Sequence, residues 1–166
     1  MGVFYDYYRA DDREAALAHP ESPREVAVPG FDVVVTKWID PHVVLARLVA
    51  FVADVEFSPG LVDTAILYPP PEGAPRSDEE WDALPEGSPY LEGPCIGELT
   101  VDVRDVLAGA DDERLPLIAE RWSKIEEFSS FGPDDEGYTP ALVKDLVGLA
   151  RRAKANGQML YCWSSL

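Results

Sequence analysis

The side chains able to do chemistry in this chain are two histidines, two cysteines and many carboxylates, and their spacing builds no familiar catalytic set. A catalytic site needs a nucleophile, a base and an oxyanion donor that converge, and zinc sites need Cys and His at short intervals. The chain has no G-x-S-x-G, H-E-x-x-H, P-loop, dinucleotide glycine fingerprint or zinc-type Cys/His spacing. No catalytic residue, metal ligand or cofactor is therefore assigned, and the balance leans against an enzyme. His19 precedes Pro20 at the end of a short helix and reads as a surface residue. His42 is better placed, as the second residue of a helix that Asp40 caps, just after Lys37-Trp38. A helix N-terminus lowers the proton affinity of an imidazole, which suits an electrophilic role. Lys37, Trp38, Asp40 and His42 thus make one candidate binding cluster. Cys95 and Cys162 lie far apart in the chain and read as free thiols in a reducing compartment. Of Glu126-Glu127, one carboxylate flanks the buried stripe of its helix while the other faces water, and neither reads as a metal or general-acid site; Asp134-Asp135-Glu136-Gly137 lacks the alternating ligands of a calcium loop.

The elements that must position these residues form an α+β pattern. A strand over Val3–Tyr8 precedes a short helix begun by Asp11, with Glu14 completing a capping box. Pro20–Gly30 reads as loop. Phe31–Lys37, with its three successive valines, reads as a strand buried on both faces. Asp40-Pro41 then opens a helix over 41–53, apolar on the face of Val44, Leu45, Leu48 and Val52. Leu61–Tyr68 reads as a third strand, and Gln158–Trp163, after the Asn156-Gly157 cap, as the last. Between them, Thr100 opens a helix to Leu107. A longer helix follows Asp111-Asp112-Glu113 with the stripe Leu115, Ile118, Trp122, Ile125 and Phe128. Thr139-Pro140 opens the final helix. The expectation is one domain over 1–166: a single mixed sheet of about four strands, about five helices, and one βαβ unit around helix 41–53.

Residues 69–98 break this pattern. They hold seven of the fifteen prolines, eight acids and one base, Arg76. The segment reads as an acidic, proline-rich excursion, too long for an ordinary connection. Ser77 with Glu80 caps a turn of helix around Trp81, and Trp81 and Tyr90 join the candidate partner-binding residues.

Charge limits the partners. With 31 acidic and 14 basic residues the net charge is −17, which repels phosphate backbones and anionic membranes. The longest apolar stretch, Val43–Ala53, carries Arg47 and is too short to span a bilayer. The opening Met1-Gly2-Val3-Phe4-Tyr5-Asp6 has no signal-peptide pattern, so a cytoplasmic location is expected. Arg outnumbers Lys ten to four, as a GC-rich bacterial genome dictates.

Met1-Gly2 with Tyr7-Tyr8-Arg9, Asp32-Val33 with Lys37-Trp38, and the helix-to-strand passage Ala153–Tyr161 resemble the YfbM-like family of small bacterial proteins of unknown function. The chain is also similar to uncharacterised acidic proteins of GC-rich actinobacteria. Neither resemblance implies a catalytic residue.

Three readings of function follow. The first is an acidic protein-binding module for a basic partner, of the immunity or antitoxin-like inhibitor kind. The second is a small-ligand site or unfamiliar enzyme in a cleft near Lys37, Asp40 and His42, with 69–98 as lid. The third is a structural or self-associating protein, a homodimer formed through the aromatic strands at the two ends of the chain.

Overall fold

The computed structural model describes residues 3–18, 32–129 and 138–165. Five strands, β1 Phe4–Ala10, β2 Val33–Lys37, β3 Thr64–Tyr68, β4 Cys95–Leu99 and β5 Met159–Ser165, form one sheet in the order β2-β1-β5-β4-β3. The helices are α1 Arg13–Ala16, α2 Ala46–Ala53, α3 Asp78–Asp82, α4 Pro89–Glu92, α5 Val101–Ala108, α6 Leu115–Ser123, α7 Glu126–Ser129 and α8 Tyr138–Ala155. The architecture is α+β. Among the described residues no helix is long and apolar enough to cross a membrane.

The sheet has five strands, and every pairing is antiparallel where a mixed sheet was expected. The additional strand is β4, hidden at the tail of the proline-rich segment; its Cys-Ile-Gly-Glu-Leu sequence carries too little alternation to stand out. β2 and β3 run in the same direction, as a βαβ unit requires. They lie at opposite edges, however, so the chain between them crosses the whole sheet. β2 is an edge strand with alternating burial, and Val35 is 49% exposed, so its valine run is not buried on both faces. The Asp11 cap falls one residue later, on Asp12, which accepts from the Ala15 amide. The helix expected through Phe128 breaks at Lys124-Ile125 into α6 and α7. His19, Pro20–Gly30 and Asp134–Gly137 lie outside the described residues.

Pleating sends the aromatic side chains of the two central strands to opposite faces. Tyr7 joins the main core with Leu160, Cys162, α2, α5, α6 and α8. Tyr8, Tyr161 and Trp163 build a smaller core on the other face with Ala16 of α1. These rings are buried, and their strands lie inside the sheet rather than at its edges.

The passage from β2 onto the helical layer is heavily bonded. Trp38 takes a left-handed conformation (φ 70°), and the fully buried Ile39 gives its carbonyl to the Tyr7 hydroxyl. Asp40 then accepts the amides of His42, Val43 and Val44, so the helix starts with its orphan donors satisfied. The first turn, Pro41–Leu45, is π-helical, with the Leu45 amide reaching back to the Asp40 carbonyl. Trp122, fully buried on α6, donates from its indole to the Val44 carbonyl at 2.8 Å. Arginines finish the helices: Arg114 bonds the Phe51 and Val52 carbonyls at the end of α2, and Arg151 bonds Ala108 and Ala110 after α5. Cationic donors at helix C-termini satisfy the last carbonyls and oppose the dipole. Gly157, at φ 64°, supplies the left-handed residue after α8.

Asp32 ties the edge of the sheet to α8 through Arg9 at 2.8 Å and Arg152 at 2.5 Å. Burial works to raise its pKa, but the hydrogen bonds and charges of Arg152 and Arg9 together outweigh it and hold the carboxyl below its usual range.

Two measurements test this frame. Tyr7→Phe leaves the Ile39 carbonyl without its buried donor and is expected to lower unfolding stability by ~1–3 kcal/mol in urea titrations. Asp32→Asn destabilises at neutral pH. Because the native pKa lies below the unfolded one, the bridge's contribution is complete above the unfolded value and fades as pH falls through the native one. Wild-type and Asp32→Asn stabilities should therefore converge on acidification, and a gap that persists in acid would contradict the assignment.

Candidate functional site

Between the start of the α2 passage and residues 69–94, the end of the sheet leaves a groove made of two adjoining cavities. The inner cavity, about 250 Å³, is lined by Asp40, Pro41, His42, Thr64, Gly97 and Cys162, among others. The outer cavity, about 350 Å³, lies against Pro69, Pro89, Tyr90, Leu91, Glu92 and Gly93. Tyr5, Cys95 and Ser164 line both, so the two spaces meet over β1, β5 and β4.

Sheet register explains why these three residues gather. Tyr5 pairs with Ser164, and Ser164 in turn with Cys95, so their side chains stand in a row on one face of adjacent strands. Gly97 pairs with Cys162, and a side chain there would press on Thr64, so the floor of the inner cavity is closed by Cys162 and Thr64. Cys95 and Cys162 are therefore diagonal neighbours across two strands despite their separation in sequence, and both are free. Burial pushes the thiol pKa of each upward. Burial also raises the Tyr5 pKa, followed by the Asp40 carboxylate and the two cysteines, so the phenol stays protonated at neutral pH. Among the described residues, no three His, Cys, Asp or Glu side chains come close enough together to hold a metal ion.

At the inner end the His42 ring is held from both sides. Its Nδ1 lies 3.2 Å from the Val62 carbonyl oxygen, an obligate acceptor, so Nδ1 carries the proton. Nε2 lies 3.3 Å from the Thr64 hydroxyl, which can donate or accept there. Asp40 spends its carboxylate on three helix amides and acts chiefly as a cap.

The outer wall is an acidic arm, residues 69–94, which includes a 3-10 turn Pro71–Gly73, α3 and α4. Cis peptide bonds at Tyr68–Pro69 and Gly93–Pro94 bound it. Ser77 accepts the Glu80 amide, and Glu80 accepts the Arg76 amide, which completes the expected helix start. The Tyr90 hydroxyl donates to the Pro70 carbonyl at 2.6 Å and sits where a side chain at Gly73 would be, which fastens α4 to the start of the arm. Glu72, Asp78, Glu79, Glu80, Asp82, Glu86 and Glu92 are all exposed, and among the described residues none has an ion-pair partner. Trp81 and Leu91 are 42% and 45% exposed beside them.

Of the residues expected from sequence, Asp40 and His42 line the inner cavity and Tyr90 the outer one. Lys37, Trp38 and Trp81 line neither. The Lys37 ammonium lies over the rings of Phe4 and Trp38, at 5.9 and 5.3 Å, so the three-residue cleft of Lys37, Asp40 and His42 does not form. Tyr5, Thr64, Cys95 and Ser164 escaped sequence reasoning because strand order alone brings them together. Comparison with protein-family models, with characterised proteins and with solved structures finds no match.

The thiols offer a direct check on the groove. A thiol reagent such as DTNB is expected to modify Cys95, half-buried at the junction, slowly in the native protein and faster as pH rises. Cys162, buried beneath, should react only after denaturation. Two thiols reacting at equal rates without unfolding would show that the floor of the groove is open.

Proposed function

We propose that this protein is an acidic protein-binding module that recognises a basic protein partner through the arm 69–94, in the manner of an immunity or antitoxin-like inhibitor. One observation carries the reading: seven exposed carboxylates, without ion-pair partners among the described residues, share a folded, proline-stiffened arm with half-exposed Trp81 and Leu91. Charges held on a rigid element steer a basic partner and fix its register, and an aromatic or aliphatic side chain among them supplies apolar contact. A uniform acidic coat, serving solubility alone, has no such concentration.

The test compares equal charge changes in two places. An arginine-rich nonapeptide serves as probe, followed by isothermal titration at two salt concentrations. Neutralising Glu72, Glu79, Asp82 and Glu86 to their amides is expected to weaken binding about tenfold and to flatten its salt dependence, as several screened contacts of a few tenths of a kcal/mol would. Neutralising the exposed Glu14, Asp54, Asp102 and Asp145 instead should change affinity less than about threefold. Equal losses in the two variants would reduce the charge to a solvating coat and remove the reading.

A further inference from the structure

The groove has a chemistry of its own beneath the arm. Among the described residues, neither cavity is lined by lysine or arginine, although the chain contains 14 basic residues. Among the described residues, the charged ones that line it are Asp40 at the inner end, whose carboxylate also caps the helix, and Glu92 at the outer rim. Two tyrosines, Tyr5 and Tyr90, line the outer cavity, and Ser164, on the same sheet face as Tyr5, adds a hydroxyl. Val3, Pro69, Pro89 and Leu91 complete it with apolar surface. At about 350 Å³ the outer cavity lies at the small end of ligand pockets, roughly 300–1,000 Å³. An extended side chain suits it better than a bulky cofactor.

We propose that this groove is the specificity pocket for one arginine side chain of the basic partner, its methylenes lying on the proline and valine wall and its guanidinium against Tyr5, Tyr90 and the flanking carboxylates. The inference rests on the reading of the arm as a partner-binding element and adds what that element presents to the groove. Arginine fits better than lysine because a planar, weakly hydrated guanidinium stacks on tyrosine and forks toward several oxygen acceptors at once. Its aliphatic stem can be buried while the charged head stays near water. The Asp40 potential that helps keep the Tyr5 phenol protonated also favours a cation at the junction and opposes an anion. The arm and the groove then divide the work: the arm's carboxylates gather a basic surface, and the groove selects where on that surface one side chain enters.

N-acetyl-arginine amide, titrated into ¹⁵N-labelled protein, is expected to shift the amides of Tyr5, Tyr90, Gly93, Cys95 and Ser164 in a saturable way. N-acetyl-glutamine amide, close in shape and uncharged, should leave them in place. Ser164→Phe fills the junction of the two cavities and is expected to abolish those shifts. The same variant should weaken the arginine-rich nonapeptide at least about fivefold while the arm carboxylates remain. Shifts spread over the arm without the groove, or equal shifts with the neutral probe, would overturn the inference. So would a folded Ser164→Phe variant that binds the nonapeptide as the wild type does. If Ser164→Phe does not fold, the two amide titrations on the wild-type protein decide alone. In each failing case the arm reading survives provided the two charge-neutralised variants still differ, and it falls separately if they do not.

Discussion

The turn from Trp38 to Asp40 is the constraint on which the rest of the structure depends. There the chain leaves an edge strand and must lie down across the sheet to reach the opposite edge. A tryptophan in the left-handed region is costly, since that region favours glycine. The surrounding bonds over-determine it: a tyrosine from β1 takes the Ile39 carbonyl, Asp40 takes three amides, and Trp122 from α6 takes the Val44 carbonyl. The two side-chain donors, Tyr7 and Trp122, come from distant parts of the chain, and Asp40 accepts from within the turn. The turn therefore joins the sheet, the crossing helix and the second helical layer in one bonded group. The groove exists because that crossing begins at the end of the sheet and holds His42 and Asp40 above β3 and β4.

The distribution of positive charge gives the acidic surplus its shape. Many of the arginines are committed to structural bonds. Arg9 and Arg152 clamp Asp32, Arg13 holds Glu98, Arg47 holds Glu127, and Arg114 and Arg151 close the ends of α2 and α5. Guanidinium groups suit this duty because one planar head serves several carbonyls or carboxylates. The arm has only Arg76, and its carboxylates face water.

How much of this was legible in the sequence depends on the range of the interactions involved. Local chemistry read well: Asp40-Pro41 opens the crossing helix, Ser77 and Glu80 open α3, and Asn156-Gly157 closes α8, since each signal lies within a few residues of its effect. Distant pairing did not. The Cys-Ile-Gly-Glu-Leu strand has no pattern that separates it from the loop before it, and only its pairing with β3 and β5 makes it a strand. The same limit applies to the groove, whose Tyr5, Cys95 and Ser164 meet because β1, β5 and β4 are neighbours. Asp40, His42 and Tyr90 were found because a helix start and an aromatic within an odd composition are visible locally. Lys37 was misplaced by its nearness in sequence: a strand sends successive side chains to opposite faces, and its ammonium went to the rings of Phe4 and Trp38.

The arm joins β3 to β4, and these two strands are antiparallel neighbours. Its ends therefore lie side by side, and topologically all of residues 69–94 are a hairpin turn that has grown. Hairpin turns can lengthen, shorten or be replaced without reordering a sheet, since loop-closure cost rises only slowly with length. The element proposed to meet the partner is thus a part of this fold free to change without rebuilding the core. Divergence in recognition can proceed there while the scaffold beneath keeps its strand order, its bonded turn and its arginine clamps.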